Sequence, residues 1–423
     1  MNPPTRPINP DVSEDAESRS VWKAPFVVIT IAYIVARGSN VIFGPAKNDI
    51  ATDLGATLPE VMGSRTATYL ISAIVVIPVA ILITRISPGA LAWIGALLLG
   101  IGKVTVGLSS ELVLFYTGAV IGTFGSVMLT PLFAQIGRDV LSLRTFVVAT
   151  TLVVVFGRAV QSGSLMFTGM VYETLGWRFI YISWGVVMIP VAFMAWRFIK
   201  PQKANAEVDS VAKLMGKLGD LVRQPLVWMC GISAGLAMAT IINFGFVWDL
   251  NFQDSLGWDT YKANLLTFLF VGGVITGGYF ITLLSKWIGE YLSILLGMSI
   301  GVTMFFICLF LTSSLREIWV SGPMLFVVGV FLGTGSMIQP HISRFYDKHL
   351  SAMFFGVTSA IYLVCAGFVV AVPEWSLPAS SDWSLSDMRH AIFPYVIMIA
   401  IGVVVFGFTR LAARSAGPRS KGA

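Results

Sequence analysis

The chain has 423 residues, of which 56% are hydrophobic and only 12% charged, with a mean hydropathy of +0.81; soluble domains carry about a quarter charged residues. That composition excludes a soluble globular protein and predicts an all-α polytopic membrane protein. The net charge of +6 and pI near 9.2 give no support to nucleic-acid binding, because the basic residues are distributed by membrane topology.

Residues 1–20 are polar, rich in Pro, Asp, Glu and Ser, and have no apolar core of a signal peptide. They read as a disordered cytoplasmic tail with no cleavable leader. Apolar runs of roughly 20 residues, each long enough to cross the hydrocarbon core as a helix, follow at 23–45, 63–86, 89–108, 111–136, 146–171, 178–199, 225–250, 262–284, 290–312, 318–341, 351–373 and 390–413. Twelve spans place both termini on one side. With that side cytoplasmic, nineteen of the 28 lysines and arginines lie inside and six outside, the bias that sets orientation. The remaining three, Arg37, Lys103 and Arg158, fall within spans, where an unpaired charge costs about 3 kcal/mol and marks a candidate site.

In span one, Tyr33, Arg37, Asn40 and Gly44 share a helical face; in span five, Arg158, Gln161, Ser162 and Met166 do likewise. Lys23 to Arg37 and Arg144 to Arg158 are equal separations, which put both arginines roughly 21 Å from the cytoplasmic end. Two guanidinium groups at one depth, each planar and permanently charged, suit a carboxylate or phosphate held bidentately. The alternative for Arg158 is a bridge to backbone carbonyls of a neighbouring helix. All 22 carboxylates lie in tails, turns or at span ends, so no acid neutralises the pair. Asp249, roughly 39 Å from Arg223 by helical rise, falls near the outer surface.

The break at 201–224 separates residues 21–200 from 225–413 as two six-helix halves, with 414–423 as a second cytoplasmic tail. Within the break Val208, Val211, Leu214, Leu218 and Leu221 recur at helical spacing, which predicts an amphipathic helix on the cytoplasmic surface. Span four and its exit read Gly125-Ser126, Thr130-Pro131 and Arg138-Asp139; span ten reads Gly335-Ser336, Gln339-Pro340 and Asp347-Lys348. Such matches at equivalent places predict a parallel repeat of two pseudo-symmetric halves. Gly272-Gly273 and Gly277-Gly278 read as close helix packing or hinges. Cys230, Cys308 and Cys365 all lie inside spans and imply neither disulfide nor metal. Asn-X-Ser/Thr is absent, in keeping with a bacterial inner-membrane protein.

The chain resembles the major facilitator superfamily over nearly its whole length. The resemblance rests on the twelve spans, the central linker, the basic turns around Arg85 and Lys286 after spans two and eight, and Gly176-Trp177-Arg178-Phe179-Ile180 at the external start of span six. It departs from the family at the turn after span two, where Ala80 to Pro88 keeps the leucine and arginine but not the aspartate, and in span four, where Gly118 stands in the place of an arginine. Span five lacks the proline of the proton-coupled exporters. Tyr33-Ile34-Val35-Ala36-Arg37, followed by Pro45, is similar to the first span of the organophosphate and organic-anion branch, although no basic residue lies in span seven. The resemblance implies that Thr130, Gln135, Asn243, Trp248, Gln339 and His341 line the cavity, that Arg85, Lys286 and His341 belong to gating or coupling, and that Lys103, on a peripheral span, snorkels to the interface.

The expected function is a secondary transporter that moves a small organic anion by alternating access, binding it at Arg37 and Arg158 with Tyr33, Asn40, Gln161, Ser162, Thr130, Asn243 and Gln339. Its partners are that anion, the bilayer and a co-transported or exchanged ion, the proton first among them; exchange of anions and a role for Asp249 stay open. The protein is expected to be a monomer without cofactor or metal. The alternatives are an exporter of amphipathic drugs and, in another class, a membrane enzyme or a non-transporting receptor. His341, His349 and His390 form no ligand pair and no catalytic cluster.

Overall fold

A computed structural model describes residues 24–141, 143–199, 211–311, 317–346, 348–377 and 383–415. Both expected tails and residues 201–210 of the linker lie outside these, apart from the helical residues 414 and 415. The described residues are helical between short turns, with no strand among them. Among the described residues, ten helices are long and apolar enough to cross a membrane, eleven with one bent pair.

That pair is the first span. Helix α1 (Ala24–Gly38) and helix α2 (Phe43–Asp53) meet at 56° across residues 39–42. The sequence breaks the helix in two ways. Ser39 Oγ and Asn40 Nδ2 both donate to the carbonyl of Ala36, at 3.0 and 3.2 Å, competing with the helical ladder. Pro45 has no N–H to return to the carbonyl four residues back.

Helix α3 (Leu58–Arg85) begins on a capping box, in which Glu60 accepts from the Thr57 backbone at 2.7 Å. It is followed by α4 (Pro88–Gly107), α5 (Leu112–Val140) and α6 (Leu143–Phe198). Spans five and six both lie in α6, which turns at Gly176, φ 73° and ψ 168°, a region open chiefly to glycine. The residues after the turn fasten it: Trp177 Nε1 donates to Asp53 at 3.0 Å, and Arg178 pairs with the same carboxylate while reaching the Ser109 carbonyl at 3.0 Å. Gly118 is buried against the backbone of Val106 and Gly102, so that position packs span four on span three.

Helix α7 (Val211–Val222) lies in the linker, with Leu221 buried and Asp220 exposed. The side chains of Val211 and Leu214, and all of Val208, lie outside the described residues. Helix α8 (Pro225–Ser255) is the seventh span and contains two π-helical segments, Gly235–Ala239 and Phe244–Trp248, a form frequent at functional positions. Then come α9 (Thr260–Ile288), α10 (Glu290–Leu311), α11 (Ile318–Ser343), α12 (Lys348–Ala371, extended by a turn to Trp375) and α13 (Leu385–Ser415). Two of the four span-eight glycines pack closely: a Cβ at Gly273 or Gly277 would overlap the carbonyl oxygen of Phe326 or Val330 on α11, whereas one at Gly272 would meet open space.

Contacts between the first six spans and the last six are found on the side remote from the termini. A Cβ at Gly44 on α2 would overlap the carbonyl oxygen of Phe246 on α8. Thr66 donates to the carbonyl of Gly367 at 3.1 Å, and Tyr69 to Asn243 at 3.2 Å. By helix direction these residues lie nearer the far ends of their spans than the ends on the terminal side.

Candidate functional site: cations around the broken first span

Where α1 stops, the carbonyls of Ser39 and Asn40 in the break accept from cations on neighbouring spans. Lys103 on α4 donates to the Ser39 carbonyl at 2.7 Å and to Asn40 Oδ1 at 3.2 Å, with its ammonium 5.4 Å from the centre of the Tyr181 ring. Arg65 on α3 donates to the Asn40 carbonyl at 2.6 Å and stacks over Phe43 at 5.0 Å. Both charges sit at the negative end of the α1 dipole. Lys103 is 9% exposed, so it does not snorkel to an interface. Its depth is stabilised by the break itself.

Beyond the break Lys47 is fully buried. Its ammonium donates to the carbonyls of Gly44 at 3.2 Å and Val247 at 2.7 Å and to Asn251 Oδ1, and lies 4.7 Å from the centre of the Trp248 ring. The carboxylate of Glu374, after α12, lies within electrostatic reach of it. Lys47 and Arg65 are two of the six basic residues counted to the outside by topology; the structure puts both within helices. The capping box at Thr57 already locates Arg65 two turns inside α3. Lys47 has no such local sign, because the two acceptors that tie it across the molecule lie about 200 residues away on the other half.

Arg37 differs from these three. It is half-buried, and its guanidinium lies 5.1 Å over the Tyr33 ring with no hydrogen bond or ion pair among the described residues. Tyr33 is itself buried and stacks on Phe133 at 4.8 Å, and the backbone of Gly157 abuts its ring. The two candidate helices are therefore in contact at the level of Tyr33 and Gly157. The side chains of Arg158 and Ser162 lie outside the described residues; Gln161 is buried, and its Oε1 has no partner among the described residues.

The other expected site residues are dispersed. Asn40 is tied into the break. Thr130 is exposed on α5. Asn243 is buried, and its Oδ1 accepts from Tyr69 while its Nδ2 has no partner among the described residues. Gln339 donates to Thr358 at 3.2 Å. Asp249 lies toward the far end of α8, is fully buried and accepts from Gln253 at 3.1 Å, with Thr267 beside it. His341 faces Glu290 at 3.1 Å, and Arg344 takes the other oxygen of that carboxylate at 2.5 Å. Lys286 is exposed, and the side chain of Arg85 lies outside the described residues. No cluster of His, Cys, Asp and Glu suited to a metal occurs among the described residues.

Comparison with known proteins identifies the architecture. The family model for the Major Facilitator Superfamily matches residues 29–371. Among solved structures, the chain is similar to a bacterial homologue of the human lysosomal transporter Spinster in an inward-facing, unoccupied conformation, at 14% identity and a TM-score of 0.70 over 92% of this chain and 96% of that one. The same description in an inward-facing, occupied conformation matches at 13% identity and a TM-score of 0.63, over 94% and 97%. No curated protein matches the sequence.

Proposed function

Since the chain belongs to the Major Facilitator Superfamily, and is thus a multi-pass membrane transporter, we propose that it moves a small organic anion, bearing a carboxylate or phosphate, by alternating access. The observation that carries this reading is Arg37. A guanidinium cannot shed its proton in the membrane, and this one has an aromatic ring for company but no acceptor among the described residues. Lys103 and Arg65 spend donors on the broken helix and hold it open; Arg37, in the last turn before the break, is left for the cargo. In this reading Gln161, on the span-five helix that packs against α1, and Arg158, placed on the same face by helical spacing in the sequence, belong to the same site.

The transport cycle follows from the same geometry. With the far side closed, Lys47 locks α2 to α8, and the anion exchanges from the terminal side, which this reading takes as the cytoplasm of a bacterial cell, the positive-inside bias supporting that orientation. Opening the far side withdraws Lys47 from Val247 and Asn251. A coupled proton would reside on Asp249, buried in the same span that the lysine grips. The monomer is the working unit in this scheme.

Purified protein in liposomes, screened with labelled monocarboxylates, dicarboxylates, sugar phosphates and cationic dyes, tests the substrate class. Flux of an anion is expected. Flux confined to cationic dyes overturns the reading and favours an amphipath exporter.

A further inference from the structure

On the terminal side of the second half, the turn between α9 and α10 and the ends of α11 and α13 enclose a cleft of about 340 Å³. Glu290, Tyr291, His341, Thr409 and Arg410 line it, with Phe345 at its edge. Its one carboxylate is already neutralised, because Arg344 and His341 occupy the two oxygens of Glu290. Its second cation is not: Arg410 lies 5.4 Å over the Tyr291 ring and forms no ion pair among the described residues. Tyr291 is fixed in turn, donating to the Gly407 carbonyl at 2.6 Å. The ring thereby sets the guanidinium at the cleft.

The surroundings are apolar and open to lipid. Trp287 is 86% exposed and Leu411 58%, and Leu292 and Phe345 are exposed beside them. A cleft with excess positive charge, set between span ends and collared by exposed apolar side chains, has the form in which membrane proteins take anionic headgroups. Water-soluble anions would gain the charge but not the collar. We propose that this cleft binds the phosphate headgroup of an anionic membrane lipid, with Arg410 as its counter-ion and the acyl chains lying along Trp287, Leu292 and Leu411. The site is separate from Arg37 and does not depend on the identity of the transported solute.

The test uses the full chain in nanodiscs of phosphatidylcholine, alone or with increasing phosphatidylglycerol, read by thermal unfolding and by lipid retained in native mass spectrometry. Phosphatidylglycerol should raise the unfolding temperature of the wild type and stay bound. Arg410→Ala should need about fivefold more phosphatidylglycerol for the same shift, the worth of one basic residue at an anionic surface. Arg197→Ala serves as the control, since Arg197 is an exposed arginine near the same face that also stacks on a ring, that of Phe198; it should titrate as the wild type does. Equal titration of Arg410→Ala and wild type overturns the proposal. So does an equal loss in Arg197→Ala, which would make the effect one of general surface charge, or reproduction of the shift by inorganic phosphate without lipid.

Discussion

The ammonium of Lys47 donates to the carbonyl of Val247 at 2.7 Å, so a cation from the first span is satisfied by the backbone of the seventh. Its remaining acceptors are Gly44 on its own helix and Asn251 on the other half. A buried lysine satisfied this way stabilises only the conformation in which the two halves meet on that side.

Lys47→Ala should therefore favour opening of the far side. Leaving the Asn251 and Val247 acceptors buried without a donor costs about 1–3 kcal/mol, roughly a tenfold change in the closed-to-open ratio. Spin labels at Thr52→Cys and Asp254→Cys, both exposed on that side, placed in a background with Cys230, Cys308 and Cys365 replaced by alanine, should show the longer-distance population growing. An unchanged distribution would deny Lys47 a part in closure.

Gly44→Ala should block the same closure by sterics. The added Cβ overlaps the Phe246 carbonyl, which belongs to a helix backbone and cannot rotate away. Net uptake into liposomes should fall at least about tenfold while substrate still binds from the open side. Uptake at the wild-type rate would mean that α2 and α8 separate more freely than this crossing implies.

Lys103→Met should damage stability more than affinity. It removes the donor to the Ser39 carbonyl and Asn40 Oδ1, worth about 1–3 kcal/mol of unfolding free energy, and should lower the unfolding temperature by several degrees. In the protein that remains folded, substrate affinity should stay within about threefold. A large loss of affinity without a loss of stability would place Lys103 on the substrate instead of on the helix break.

Asp249→Asn should separate coupling from transport. The buried carboxylate is replaced by a group of similar shape that cannot carry a proton, so uptake driven by a pH gradient should be lost while exchange of internal for external substrate persists. Loss of both would assign Asp249 to the scaffold of the seventh span.

Much of the fold was legible because its causes are local. Apolar run lengths locate the spans, Gly176 permits the turn that Trp177 and Arg178 then fasten, and paired glycines mark the crossing of spans eight and ten. The site was legible only in part. Tyr33 and Arg37 share a face by helical spacing, and that face survives because the break comes after it. The roles of Lys103, Arg65 and Lys47 were not, because their acceptors are mostly backbone carbonyls on other spans, which leave no pattern of side-chain types to read. The break was within reach of sequence reasoning: Ser39 and Asn40 compete for the Ala36 carbonyl, and Pro45 withholds a donor.

The central claim is that Arg37 holds the anionic group of the cargo. Binding of the transported anion to wild type, Arg37→Ala and Arg37→Lys, measured by equilibrium competition on protein of verified thermal stability, tests it most directly. The account predicts at least about a tenfold loss of affinity in Arg37→Ala, the worth of a charged hydrogen bond, and partial recovery in Arg37→Lys, which restores the charge but not the bidentate fork. Equal affinity in all three proteins would contradict it.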